Sequence, residues 1–91
     1  MEPVTLALLL LAGLGTVSLL TWTAVRSWLT RKRAVQADLI RTALEDGSVN
    51  VVVIGLRDDG AEAARRTWHT KQLDPDLAAT FGYRDQVRVT V

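Results

Sequence analysis

The feature that most constrains this chain is an uncharged stretch of 23 residues, from Pro3 to Val25, which Arg26 follows at once. An α-helix rises about 1.5 Å per residue, and roughly 20 apolar residues cross a hydrocarbon core about 30 Å thick. A helix also satisfies every backbone N–H and C=O within the segment, as lipid requires. The stretch therefore predicts a transmembrane anchor over residues 1–26.

The charges around this stretch predict an uncleaved signal-anchor and its orientation. A cleaved signal peptide has basic residues before its apolar run, whereas here only Glu2 precedes it. Basic residues stay in the cytoplasm, so the N-terminus is expected outside and the C-terminal domain in the cytoplasm. The excess of arginine over lysine is typical of a GC-rich bacterial source, which predicts a single-pass protein of the bacterial cell membrane. The residues expected at the membrane interface are Trp22, Arg26, Trp28, Arg31, Lys32 and Arg33.

Small and hydroxyl side chains recur within the apolar stretch at spacings of seven, four and seven residues. On a helix they would project from nearly one side, where a second helix could approach closely and form hydrogen bonds. Chance explains the pattern equally well, because there is no GxxxG motif. The residues of this possible helix–helix contact are Thr5, Ala12, Thr16 and Thr23, with Gly15 beside them.

The segment after the anchor predicts an amphipathic juxtamembrane helix over residues 27–47. It contains neither proline nor glycine before Gly47, and Val35, Leu39 and Ala43 recur at helical spacing. Gly47 is a natural helix stop. The basic residues at its start act either as a topology determinant near anionic headgroups or as a specific lipid site. A lipid bilayer with anionic headgroups is therefore an expected partner.

Residues 48–91 predict a small α+β cytoplasmic domain. Val49 to Leu56 is rich in β-branched residues and reads as a central strand. An Asp-Gly turn follows, and Ala61 to Leu73 fits either a helix or a second strand, with the strand favoured narrowly. Asp74 and Pro75 start a short helix, and Gln86 to Val91 alternates as a half-buried strand.

The predicted fold class is thus a single-pass transmembrane α-helix that continues into a juxtamembrane helix and ends in this α+β domain. We expect the domain to have about three strands in the order 2-1-3, with the Val49 strand central. Helices around Leu39 and Leu77 are expected to pack on one face.

Chemistry-bearing motifs are sparse. The chain has no cysteine, which excludes disulfides and thiolate chemistry. His69 is the single histidine, and with Asp74 and Asp76 it does not complete a zinc ligand set or a nucleophile–base pair. Val53-Ile54-Gly55 continues without the glycines of a dinucleotide site. We therefore expect no cofactor, no metal and no enzymatic activity, and no small-molecule substrate is evident.

The charge distribution and the small size of the distal part favour a role in protein interaction. Net charge is +1, and residues 42–91 carry six basic against eight acidic residues, which argues against nucleic acid. A domain of this size sits near the limit for folding alone, so it needs cover from its own helix, a second copy or another protein. The predicted partner is another protein or a homo-oligomer.

The predicted function is a non-enzymatic, membrane-anchored interaction, accessory or regulatory module at the cytoplasmic face. The alternative is a holin-like or toxin-like protein that permeabilises the membrane through oligomerised transmembrane helices. Aromatic side chains dominate binding hot spots, although Trp68 is most simply a core or edge-covering aromatic. The candidate partner-binding residues are Trp68, Phe81, Val87, Val89 and Val91.

Overall fold

A mixed five-stranded sheet organises residues 14–91, the part of the chain that the computed structural model describes, with backbone alone at residues 14 and 15. The order across the sheet is β1-β4-β3-β2-β5. β1 runs parallel to β4, and the other neighbours are antiparallel. The elements in chain order are β1 (Leu14–Leu20), α1 (Trp22–Arg31), β2 (Gln36–Ala43), β3 (Val49–Leu56), β4 (Glu62–Leu73), α2 (Pro75–Phe81) and β5 (Gln86–Thr90).

The hydrophobic core lies between one face of this sheet and the two helices. In β3, Val51 and Val53 are fully buried and alternate with half-buried residues, as expected for a sheet that is covered more fully on one face. Trp28 of α1 meets Trp68 of β4 edge to face, with ring centroids 5.7 Å apart. Such a pair contributes about 0.5–1.5 kcal/mol beyond the area it buries. The helices supply Val25, Trp28 and Leu29 from α1 and Leu77 and Phe81 from α2.

One carboxylate ties the starts of the two helices together. Asp74 Oδ1 accepts from the Leu77 N–H at 2.8 Å, which caps α2, and from the Trp22 N–H at 3.3 Å in the first turn of α1. The Asp74 N–H in turn donates to the Leu20 carbonyl at 2.9 Å. Helix starts leave N–H groups without partners, so this residue stabilises both ends at once.

The helix predicted over residues 27–47 is wrong, because α1 ends at Arg31. The Arg33 N–H donates to the Thr30 carbonyl and the Ala34 N–H to the Leu29 carbonyl, at 3.0 and 3.1 Å. These two bonds form a Schellman motif, which requires a left-handed residue, and Arg33 has φ 60°. The chain leaves the helix here and enters β2.

The strand β2 replaces the rest of the predicted helix because it pairs along its whole length with β3, from Gln36↔Leu56 to Ala43↔Val49. Ala37 and Leu39 are fully buried, which is strand alternation, whereas Val35 and Ala43 are exposed. The helical spacing of Val35, Leu39 and Ala43 therefore does not correspond to a buried face.

The transmembrane helix predicted over residues 1–26 is wrong where the structure describes it. Residues 14–20 are strand β1, and Thr21 is extended (φ −107°, ψ 153°) and caps α1 by accepting from the Ala24 N–H. Across residues 14–91, every helix is too short or too polar to cross a membrane. The described chain thus does not show a single-pass membrane protein, which overturns the predicted signal-anchor, its location in the bacterial cell membrane and its orientation. Apolar side chains such as Leu20 and Val25 are buried in the protein core instead.

The distal elements follow the predicted ones more closely. β3 spans Val49–Leu56 as predicted, the ambiguous segment is strand β4, and a short helix and a final strand follow. The predicted fold class is nevertheless wrong as a whole, since the described residues form one mostly-β unit that includes β1 and β2. The predicted order 2-1-3 fails because β2 lies between β3 and β5.

Candidate functional site

The two edges of the sheet differ in charge and length. β5 has five residues, and its Arg88 donates from Nε and Nη2 to the Asp38 carboxylate on β2, at 2.7 and 3.0 Å. These hydrogen bonds hold the pKa of the Asp38 carboxyl below its ordinary value. β1 has seven residues and no charge, and its Leu19 side chain is 44% exposed. Natural edge strands are usually short or charged, which prevents unwanted pairing. β5 has both protections, and β1 has neither.

The predicted partner-binding residues lie against the core. Trp68 and Phe81 are 5% and 1% exposed, and arginine guanidinium groups lie over both rings, Arg66 at 4.6 Å and Arg41 at 4.9 Å. Val87, Val89 and Val91 are half-buried and pack against the same core. Their role in partner binding stays a prediction, and burial leaves the two aromatic rings little surface to offer.

The residues predicted for the membrane interface and the helix contact are scattered over several elements. Trp28 is in the core and Trp22 is half-buried, whereas the four basic side chains are exposed around α1. Thr16 lies on β1 and Thr23 on α1, so the predicted stripe does not share one helix. Gly15 lies on β1 and pairs with Trp68 of β4. Thr5 and Ala12 lie outside the described residues.

A chain of polar side chains connects the β2–β3 turn to β4. Asp46 Oδ1 accepts from the Ser48 N–H at 2.9 Å and from the Ser48 hydroxyl at 2.5 Å. Ser48 Oγ lies 2.9 Å from His69 Nε2. With Lys71 these residues line a cavity of about 290 Å³. Sequence reasoning weighed His69 only with Asp74 and Asp76. It missed Ser48, which is 21 residues away and comes close only through the pairing of β3 with β4.

The direction of the hydrogen bonds among Asp46, Ser48 and His69 suits a structural role. Ser48 gives its proton to Asp46, so His69 must donate to Ser48 Oγ. A histidine that activates a serine nucleophile has to accept that proton instead. The hydrogen bonds from Ser48 also hold the pKa of the Asp46 carboxyl below its ordinary value, which makes it a weak base. The arrangement satisfies the buried Ser48 hydroxyl and fixes the turn on β4.

Metal binding finds no support in the described residues. Within residues 14–91 no three His, Cys, Asp or Glu side chains are placed to hold an ion together. Sequence reasoning missed the exposure of three apolar side chains: Leu19 on β1, Val35 just before β2, and Tyr83, which is 96% exposed after α2. Gly82 before Tyr83 marked a helix end and hence a loop, but Leu19 gave no signal inside an uncharged run.

Comparison of the chain with models of known protein families, with curated proteins and with solved structures found no match.

Proposed function

We propose that this protein is a non-enzymatic interaction module that binds an extended protein segment by strand addition at the free edge of β1. The single observation that carries the proposal is the uncharged seven-residue β1 at one end of the sheet. Within residues 14–91, β4 is its one paired neighbour. A strand added there would gain main-chain hydrogen bonds and cover the exposed Leu19 side chain.

A second copy of the chain is the partner that this edge suits best. Two copies of β1 can pair antiparallel about a two-fold axis, which places the same patch on both sides of the contact. No charged side chains oppose one another there, because β1 has none. The same pairing of β5 centred on Arg88 would oppose two arginines, and like charges directly opposite destabilise a sheet.

The other activities considered from the sequence lack comparable support. Catalysis by Ser48 as a nucleophile that His69 activates would need the opposite hydrogen-bond polarity between these two side chains. Permeabilisation of the holin-like or toxin-like kind required oligomerised transmembrane helices, and the described residues contain no helix of that length.

The test compares the same substitution on the two edges. Ser18→Lys places a charge on β1 and Thr90→Lys places one on β5, and both side chains are exposed in the present structure. Sedimentation equilibrium of the full chain gives the dimer dissociation constant of each variant. We expect Ser18→Lys to weaken dimerisation by at least about tenfold, since like charges across an interface cost more than 1.4 kcal/mol, and Thr90→Lys to leave it unchanged.

Hydrogen exchange supplies the second readout. In a β1–β1 dimer, the amides of residues 14–20 gain protection as the protein concentration rises, and Ser18→Lys removes that gain. A wild-type chain that stays monomeric at high concentration, with β1 amides whose exchange does not depend on concentration, overturns the self-pairing. Equal weakening of dimerisation by Ser18→Lys and Thr90→Lys would show that the dimer contact is not formed by β1.

A further inference from the structure

The cations of the described residues are divided unevenly between paired and unpaired groups. Ion pairs join Arg41 to Asp85, Arg65 to Glu62 and Arg88 to Asp38. Within residues 14–91, eight other cations form no such pair. Arg66, Lys71 and Arg84 are dispersed, and the remaining five lie on or just after α1 and at the start of the β3–β4 turn; they are Arg26, Arg31, Lys32, Arg33 and Arg57. Gathering like charges is unfavourable unless an anion compensates them.

Two separate elements bring three of these side chains around one cavity. Lys32 and Arg33 follow α1, and Arg57 opens the β3–β4 turn; together they line a cavity of about 440 Å³, the basic cleft. The Val35 N–H donates to the Leu56 carbonyl at 2.9 Å, which holds the two segments side by side. Within the turn, the Arg57 N–H donates to the Ala61 carbonyl at 2.8 Å. The cleft therefore rests on a fixed backbone.

The backbone at Arg33 is a second, independent feature of this cleft. Arg33 is the one non-glycine residue with positive φ in the described part of the chain. It occupies the left-handed position of the Schellman motif, directly after the helix, where glycine is usual because a Cβ is strained there. A helix C-terminus favours a nearby cation but does not require one in the strained conformation. Residues held in sparsely populated backbone conformations cluster at functional sites, and Arg33 lines this cavity.

We propose that the basic cleft binds a phosphate monoester group. Its charged lining residues are Lys32, Arg33, Arg57 and Asp58, with a net charge of +2. A phosphate monoester carries about −1.5 to −2 charges at pH 7, which matches that balance. Arginine guanidinium groups present two parallel N–H donors that fit phosphate oxygens, and lysine adds a point charge.

The decisive variant is Arg33→Gly, because the proposal predicts opposite effects on stability and binding. Glycine accepts the left-handed backbone, so the thermal midpoint of the full chain should rise. Removal of one bidentate charge-assisted contact should weaken phosphate binding about tenfold. Arg57→Gln should weaken binding similarly, and Arg84→Gln, an exposed cation after α2, should leave it unchanged.

Binding is measured by titrating the full chain with inorganic phosphate at constant ionic strength, with NMR detection of the backbone amides. A parallel arm uses vesicles with and without phosphatidic acid, which carries the same monoester in a lipid headgroup. Saturable shifts in the soluble arm that weaken in Arg33→Gly and Arg57→Gln identify a soluble phosphorylated ligand. Binding only to vesicles that contain phosphatidic acid, weakened by the same two substitutions, identifies the lipid headgroup as the ligand.

Two results overturn the proposal. One is binding that is absent in both arms or equal in the wild type, Arg33→Gly and Arg57→Gln. The other is Arg33→Gly with unchanged binding and a raised midpoint, which would show strain without a ligand. The result of this test does not depend on strand addition at β1. Ser18→Lys, which tests strand addition, leaves the residues of the basic cleft unchanged.

Discussion

The close approach of α1 to β3 at Gly55 leads to a quantitative prediction for Gly55→Ala. A Cβ built on Gly55 would lie 3.0 Å from Ala34 Cβ and 3.0 Å from Leu29 Cδ2. Carbon atoms prefer about 3.5–4.0 Å, so the added methyl group is too close on two sides at once. Both neighbours are buried, and Ala34 belongs to the Schellman motif, which leaves little room for adjustment.

The magnitude follows from two opposing terms. Overpacking of a core by one methyl group costs about 1–3 kcal/mol. Alanine restricts the unfolded chain more than glycine does, which returns about 0.5–1 kcal/mol. Because the methyl group meets two buried neighbours at once, the overpacking cost lies in the upper part of its range, and we expect a net loss of about 1–2 kcal/mol in the free energy of unfolding. For a chain of this size that corresponds to a fall of about 5–15 °C in Tm.

Urea and thermal unfolding of the full chain, followed by tryptophan fluorescence, measure this loss. The matched variant is Ala34→Gly, which removes one of the two close contacts. In the double variant the two losses should be less than additive by at least about 0.5 kcal/mol, because the residues touch. A Gly55→Ala chain as stable as the wild type, or strictly additive losses, would refute the described packing of α1 on β3.

Two further predictions concern the carboxylates. Asp74→Ala removes the acceptor shared by the Leu77 and Trp22 N–H groups and should lower the free energy of unfolding by about 1–2 kcal/mol. Asp74→Asn keeps an oxygen that can accept these hydrogen bonds, so it should lower the free energy of unfolding clearly less. Equal losses for the two variants in urea denaturation would contradict the capping role of Asp74. Near pH 4 the folded state binds fewer protons than the unfolded state, so stability should fall as pH drops from about 5 to about 2, and Asp38→Asn should flatten part of that fall. A urea midpoint that rises on acidification would contradict this sign. The carboxyl groups responsible, each with a pKa lowered chiefly by a side-chain hydrogen bond, are those of Asp38, Asp46 and Glu62.

The candidate sites were only partly visible in the sequence. The basic residues after α1 were recognised as a cluster, but Arg57 joins them only through the pairing of β2 with β3. The position of β1 at one end of the sheet formed by residues 14–91 was missed, because the same uncharged residues suit a lipid-spanning helix. The edge strand β5 was anticipated, since Val87 and Val89 alternate with polar residues and no competing helical pattern exists there.

Local chemistry alone determined several elements of this protein. The β-branched run of β3 favours a strand in any buried setting, and Asp74 with Pro75 starts a helix through an N-cap and a fixed φ. In each of these segments, propensity, patterning and capping agree. Elements of this kind need no distant partner to be identified.

Only the tertiary structure decided the segment from β1 to β2. Apolarity without charge measures the need for burial and does not say whether lipid or protein provides it. β1 is a strand because β4 lies beside it, with Leu14 opposite Thr67 more than 50 residues away. α1 ends at Arg31 because β2 gains eight paired positions on β3, and that gain holds Arg33 in a conformation that its own propensity disfavours.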